Sequence, residues 1–314
     1  MAIRKFFGFI RQALRNALND YKILKKDQRK EYKVLQLSHR IEKGLIIPLE
    51  KQKDGWGYQK FEQLLELCGE PIDQNVRDIG IGVLMAYSSN KAKSLKTIDK
   101  NQYILISNND SFKRVCLLDN SLGGGCIDVS TNTLFKSNSF ENIVSGRHSC
   151  RDFDLNKHID KNDILSAVSL ANRCPSACNR QPYHVYVVQS GMVVGDAEIL
   201  KSEYSLFITG VVDAFSLEEY NDWLVSPSIF AGFLVLSLHY HKIGSVIMRK
   251  ELFYNSNYNN KIRSLCAIPE NEKIVLEIRI GSYKQSFKAP CSLRLNSRSL
   301  VTFIGKQSLG GKDD

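Results

Sequence analysis

Apolar residues recur near helical spacing at Ile3, Phe6, Phe7, Ile10, Leu14 and Leu18, with Arg4, Arg11 and Arg15 between them, which predicts an amphipathic basic helix. The helical pattern continues through a charged run from Asn19 to Glu42 and stops at the turn formers Pro48, Asp54, Gly55 and Gly57. Residues 72–140 are weakly patterned, with a buried helix expected over Ile79–Tyr87, a short strand over Gln102–Ser107 and a turn at Leu122-Gly-Gly-Gly-Cys126. The pattern sharpens from Ile143. A helix is predicted over Asp160–Arg173, with Ile164, Leu165, Val168 and Ala171 on one face and Pro175 as its stop. Strands follow at Tyr183–Val188 and Leu206–Val212, then a long apolar helix over Tyr220–Lys242 closed by Gly244. A strand at Ser245–Met248, a helix at Asn260–Cys266 and a strand at Ile274–Ile280 ended by Gly281 complete the pattern. Helices and strands alternate without the regular period of a doubly wound sheet, so an α+β fold is expected. Three segments are distinguished: a mainly helical N-terminal extension over 1–142, a domain over 143–304 and a flexible tail over 305–314.

With 314 residues, 43% of them hydrophobic, the chain can bury a sizeable core. The most apolar stretch, Ile229–Leu238, is interrupted by Ser237 and followed by His239, and reads as a buried helix too short to span a bilayer. Eight scattered cysteines without a Cys-x-x-Cys pair, in a chain whose start carries Arg4, Lys5, Arg11 and Arg15, point to a reducing, cytoplasmic setting and to no metal site. Nine Lys or Arg against two Asp in residues 1–30 place +7 of the +10 net charge there. A basic balance confined to one terminal helix argues against nucleic acid. It suits a docking segment, peripheral to the inner face of a membrane or on a protein partner, while the same apolar stripe can also pack on the protein itself.

Two clusters carry candidate chemistry. Arg147-His148-Ser149-Cys150-Arg151-Asp152-Phe153 offers two guanidiniums, an imidazole and a hydroxyl that can converge on one phosphate, or simply a solvated charge cluster. Cys174-Pro175-Ser176-Ala177-Cys178-Asn179-Arg180-Gln181-Pro182 lies at a helix-to-strand junction. Its two prolines bracket amides that both donate and accept, which suits the polar edge of a heteroaromatic ring, and a plain structural turn is the alternative. The glycine run at 123–125 lacks the Gly-Lys-Ser/Thr of a phosphate loop.

The order and spacing of these clusters resemble the nitroreductase family of FMN-dependent oxidoreductases. Arg147, Ser149, Arg151 and Phe153 match the family's Arg-Arg-Ser-x-Arg-x-Phe element, with His148 in place of its second arginine. Pro175, Ser176, Asn179, Gln181 and Pro182 match its Pro-Ser-x-x-Asn-x-Gln-Pro loop. The likeness continues through the long apolar helix, Gly244-Ser245-Val246, Ile278-Arg279-Ile280-Gly281 and Pro290-Cys291-Ser292-Leu293-Arg294. It implies an FMN-binding domain over 143–304. Arg147, His148, Ser149 and Arg151 would hold the phosphate and ribityl chain, joined by Arg294 or alternatively Arg298. Pro175, Ser176, Asn179 and Gln181 would belong to the loop beside the isoalloxazine, often supplied by the partner subunit. The resemblance further implies a homodimer built on the long apolar helix, NAD(P)H as electron donor, and ping-pong reduction of a small-molecule acceptor.

Upstream, Ser38-His39-Arg40-Ile41-Glu42-Lys43-Gly44-Leu45 is similar to a segment preceding the flavin domain in a branch of that family associated with bacterial surface polysaccharide genes. Two readings of it stand: His39, Glu42 and Lys43 cap the flavin pocket, or a helix ends at Gly44 with Glu42 on its solvent face. An oxidative flavoenzyme of surface polysaccharide synthesis and a non-catalytic flavin-binding scaffold are the alternative functions. His239 and His241, two apart on a helix, point in different directions. Cys150 and Cys178 adjoin the flavin-contacting positions and read as redox-active groups or as inert thiols.

Overall fold

The computed structural model describes residues 7, 10, 14, 30–116, 122–189, 191, 201–216, 219, 221–249 and 256–304. Phe7, Ile10 and Leu14 are helical, Phe7 and Leu14 with exposed side chains; the rest of the predicted basic helix, Tyr220 and the 305–314 tail lie outside the described residues. The chain divides into two compact units, one of residues 1–23 and 128–289, the other of residues 24–127 and 290–314.

The second unit is helical: α1 (Lys30–Leu45), α2 (Tyr58–Cys68), α3 (Gln74–Lys93), α4 (Thr97–Asn108) and α5 (Asp110–Cys116). Val34, Leu37, Ile41 and Leu45 of α1 recur every three or four residues and meet Phe61, Leu64 and Leu65 of α2 and Val83, Leu84 and Tyr87 of α3 in one core. Each such side chain contributes about 1.5–3 kcal/mol on burial. Asp73 caps α3 by accepting from the Val76 N–H at 3.1 Å.

Beneath the loop before α2 lies a buried ion pair that the sequence did not announce. Lys91 Nζ donates to Asp99 Oδ1 at 2.6 Å with both side chains at most 1% exposed, and Ser94 Oγ donates to Asp99 Oδ2 at 2.7 Å. The Gly55 N–H reaches the same carboxylate at 3.2 Å, and Tyr87 OH donates to the Trp56 carbonyl at 2.6 Å, so the pair pins the loop to α3 and α4.

Two sequence expectations change in this unit. Gln102–Ser107 is helical, not a strand, because the Tyr-Ile-Leu-Ile run sits on α4 with only Ile106 fully buried. Gly44 does not close α1; its place is dictated by Trp56, whose ring would lie 1.6 Å from a Cβ there. The glycine run at 123–125 has a packing cause as well. A Cβ on Gly82 of α3 would stand 2.2 Å from the Gly123 carbonyl oxygen, so backbone lies directly on backbone. We expect Gly82→Ala to destabilise by about 1–3 kcal/mol despite alanine's better helix propensity, because backbone atoms cannot move aside. A denaturant midpoint at or above that of the wild type would contradict this packing.

The first unit is built on an antiparallel sheet of order β2-β3-β5-β4, with β2 at Tyr183–Gln189, β3 at Tyr204–Val211, β4 at Ile243–Met248 and β5 at Glu272–Ser282. A second, two-stranded sheet joins β1 (Cys126–Ser130) to β6 (Ser286–Pro290), where the chain passes from one unit to the other. The short helices α6 (Thr131–Leu134) and α7 (Phe140–Gly146) follow β1.

On one face of the larger sheet, Leu206, Ile208, Ile278 and Ile280 pack on α8 (Lys161–Ala171) and α9 (Asp222–Tyr240) through Ile164, Ala167, Phe230, Leu234 and Leu238. The other face packs Val188, Phe207 and Ile274 on α10 (Ser256–Leu265) through Tyr258 and Ile262. Pro227 leaves the Trp223 carbonyl without its helical donor, and Gly210 approaches it so closely that a Cβ would lie 1.9 Å from that oxygen.

The predicted long helix ends at Tyr240, and Lys242, at φ 60°, makes the left-handed turn assigned to Gly244, which lies inside β4. Likewise Gly281 lies within β5 and does not end it. The 19 residues of α9 have a mean hydropathy of 1.4 over their most apolar stretch, so by length and composition the helix reaches a membrane-spanning size that the sequence reading denied it. Half of that stretch is buried against the protein.

Candidate functional site

Residues 149–153 run along the open side of β4. Ser149 bridges Ser245, the Cys150 N–H donates to the Ser245 carbonyl at 2.9 Å, and Phe153 bridges Tyr283. Two glycines permit this approach: a Cβ on Gly244 would meet Cys150 Sγ at 3.1 Å, and one on Gly281 would meet the Phe153 ring at 2.6 Å. Cys150 and Phe153 therefore anchor inward, and Arg151 is held between them at the edge.

Burial, and then the neighbouring Arg147, push the Arg151 guanidinium below its usual value. Arg147 and the half-buried Arg151, which has no ion-pair partner among the described residues, are thus close enough for their charges to repel. His148 lies next to Arg147, and both act on His239 behind them. His239 is 1% exposed, and burial followed by the charges of Arg147 and His148 pushes it down to about 4. At neutral pH it is therefore an uncharged ring, hydrogen-bonded to Tyr283 OH at 3.1 Å. His241, by contrast, lines an open groove with Leu165, Leu170 and Arg173. Cys150 is an inert thiol: burial pushes it up to about 12.

The loop between Pro175 and Pro182 stands elsewhere on the unit. Cys178, Asn179 and Gln181 have φ of 49°, 55° and 49°, a concentration of left-handed non-glycine residues that a loop keeps only when its surroundings enforce it. The enforcement is visible. Ser176 Oγ accepts from the Gln181 N–H at 3.1 Å, and the Gln181 side chain donates to Asn179 Oδ1 at 3.2 Å and accepts from Asn172 Nδ2 at 3.2 Å. The Ala177 N–H donates to Ser226 Oγ on α9 at 3.3 Å. Gln181 thus braces the loop by its hydrogen bonds, while Cys178, Asn179 and Gln181 are all exposed and Ser176 is half-buried.

Within one chain, the structure does not bring the two clusters together. Ser149 is level with Ser245, Ile280, Tyr204 and Gln189 in turn across the sheet, whereas the loop joins β2 at its far end, beyond Tyr183. Four strand spacings across and six residues along place the clusters roughly 25 Å apart. Helix α9 gives a second ruler: its Ser226 touches the loop and its His239 lies behind Arg147 and His148, about 20 Å further along the axis. Arg294 and Arg298 belong to the other unit and are exposed there.

Sequence reasoning missed two polar centres. In the first unit, Glu272 is 3% exposed and accepts from Thr209 Oγ1 at 2.6 Å and Tyr186 OH at 3.0 Å, with His184 Nδ1 2.6 Å from its other oxygen. Burial pushes its carboxyl up, but the hydrogen bonds from Thr209, His184 and Tyr186 outweigh this and hold it below the usual value. His184 and Tyr186, two apart on a strand, necessarily share a face; nothing in the sequence marked Glu272 as their partner. In the second unit, Glu42 is 2% exposed and not on a solvent face: its carboxylate accepts from the Ser292 N–H at 3.3 Å and lies 3.8 Å from His39 Nδ1.

Residues 144–226 match the family model described as the Nitroreductase family. No curated protein matches the chain. Among solved structures, the nitroreductase family protein of Streptococcus pneumoniae TIGR4 is 20% identical, covering 53% of this chain and 100% of its own, with a TM-score of 0.44. The nitroreductase-like family protein of Bacillus cereus is 17% identical, over 54% of this chain and 97% of its own, with a TM-score of 0.45. An FMN-dependent nitroreductase of Clostridium difficile R20291 is 20% identical, over 52% and 98%, with a TM-score of 0.42. The run that matches the nitroreductase family model, from Val144 in α7 to Ser226 in α9, contains both clusters.

Proposed function

We propose that the protein is an FMN-dependent oxidoreductase that works as a homodimer with its flavin sites shared between two copies. The observation that carries the reading is the pair Arg147 and Arg151, one guanidinium depressed by burial and by the other, inside the segment that matches the family. A phosphate placed between them relieves that repulsion and takes charge-assisted hydrogen bonds from both. Bound FMN supplies two-electron chemistry, with a hydride arriving from NAD(P)H and leaving to a small-molecule acceptor. The chain's own residues bind and orient. Arg147, His148, Ser149 and Arg151 hold the phosphate end, and neutral His239 supports Arg147 and His148 without adding charge. The strained loop at Ser176–Asn179 presents amides and backbone groups to the ring.

The separation of the two clusters supports the dimer. The ribityl chain between phosphate and ring spans roughly 9 Å when extended, far less than the gap within one chain. A second copy closes that gap if its loop meets the first copy's arginines. The outward face of α9 is suited to the contact: Val225, Ile229, Phe233 and Tyr240 are 37–49% exposed and follow each other at helical spacing. Light scattering on the yellow protein should give twice the chain mass; a flavin-loaded monomer at micromolar concentration would exclude a shared site.

Arg151→Ala should weaken FMN binding about 10-fold to 100-fold while leaving riboflavin, which lacks the phosphate, nearly unaffected. Equal losses for both ligands in a fluorescence titration would remove Arg151 from the phosphate site. The basic segment at residues 1–30 is proposed as a docking element that flavin binding does not need.

A further inference from the structure

We propose that the start of α4 and the loop before α2 form a docking face for an anionic lipid surface, a role that does not depend on the flavin reading. Leu95 is 87% exposed, Ile98 49% and Leu105 59%, and the last two are seven residues apart on one side of the helix. These side chains are not frayed ends. Ser94 and Lys96 flank Leu95, and both are tied down: Ser94 Oγ donates to the buried Asp99 and accepts from the Lys96 N–H at 3.3 Å, while Lys96 pairs with Asp54 at 3.1 Å and donates to the Gln52 carbonyl. Leu95 is therefore a fixed apolar prong on a rigid turn.

The same contacts lay the loop alongside the prong. Gly55 donates to Asp99, a Cβ on it would meet Ile98 at 3.3 Å, and its carbonyl accepts from Gln102. Lys51 and Lys53 of that loop are thereby exposed on the side of Leu95 and Ile98. Glu50 is the opposing exposed charge in this region, since Asp54 is already paired with Lys96.

An apolar prong beside lysines matches the chemistry of a bilayer interface, where acyl chains accept single side chains and anionic headgroups accept ammonium groups. A protein partner of stable affinity would need a contiguous apolar patch or groove, and single prongs do not supply one.

The test uses the full-length protein and vesicles of phosphatidylcholine with and without phosphatidylserine. The wild type should sediment with phosphatidylserine vesicles and lose binding as salt is raised. Leu95→Glu with Ile98→Glu should lower the partition coefficient at least 10-fold, and Lys51→Gln and Lys53→Gln about fivefold each, with unfolding midpoints unchanged. Leu95→Trp should bind as the wild type does and be quenched by brominated acyl chains. Wild-type binding in the Leu95/Ile98 variant would assign all attachment to other residues and overturn the proposal. So would an absence of vesicle binding by the wild type, an unquenched Trp at position 95, or equal binding of the wild type to soluble polyglutamate and to vesicles, which would indicate an acidic protein partner.

Discussion

Asp99→Ala should destabilise the helical unit by about 3–5 kcal/mol, the usual cost of leaving one member of a buried ion pair without its counterpart. The substitution strands the Lys91 ammonium, which is 0% exposed, and withdraws the acceptor from Ser94 and from the Gly55 N–H. The loop through Trp56 loses its anchor at the same time. Burial pushes the Asp99 carboxyl up, while hydrogen bonds from Lys91 and Ser94 and the Lys91 charge hold it below its usual value. Because the folded value is depressed, the pair's contribution is present at neutral pH and disappears as pH falls through that folded value. Urea titrations between neutral and strongly acidic pH should therefore converge for the wild type and Asp99→Ala at the acid end. Replacing both residues, Lys91→Met with Asp99→Leu, should recover most of the loss, because an apolar pair of similar volume needs no desolvation of charge. An Asp99→Ala protein as stable as the wild type at neutral pH would show that the pair is not buried in solution.

Mixing two defective variants should restore flavin sites that neither has alone. Arg151→Ala removes the phosphate contact, and Asn179→Ala alters the loop tip; each homodimer then carries two impaired sites. After subunit exchange, a heterodimer with sites shared between copies has one site with both defects and one with none, so about a quarter of all sites in an even mixture regain tight FMN binding. If each chain held its flavin alone, every site would keep one defect and no amount of mixing would help. Stoichiometric FMN titration of the mixture against the separate variants distinguishes the two arrangements.

The outline of the first unit was legible in the sequence because its signals are local. Helix α8 carries an apolar stripe and a stop, strands β2 and β3 and helix α9 carry apolar runs, and the ends of all four fall within a few residues of expectation. The misplacements have physical causes. The four apolar residues Tyr103–Ile106 read as a strand because three of them face solvent, which erases the helical stripe. Gly244 read as a helix stop because a glycine after an apolar run usually is one; here its smallness serves Cys150 across a strand edge, a long-range need no local pattern reveals. Glu42 was different, since the signal existed: it lies eight residues after Val34 and four after Ser38, on the buried face of α1. In the candidate site, the residue types of both clusters were readable, but their separation was not, because it is set by the order of strands between them.

The helical unit is assembled from two stretches of chain, residues 24–127 and 290–314, with residues 128–289 of the sheet-bearing unit between them. Leu295 packs into the helical core, Ser292 supplies a donor to the buried Glu42, and the Cys291 N–H donates to the Gly125 carbonyl at 3.1 Å. During synthesis, residues 128–289 leave the ribosome before the unit begun ahead of them receives its closing strip from residue 290 onward. For that interval Glu42 has no Ser292 donor and the seat of Leu295 is open, so the nascent helical unit depends on residues made about 170 positions after its own helices to become resistant to proteases.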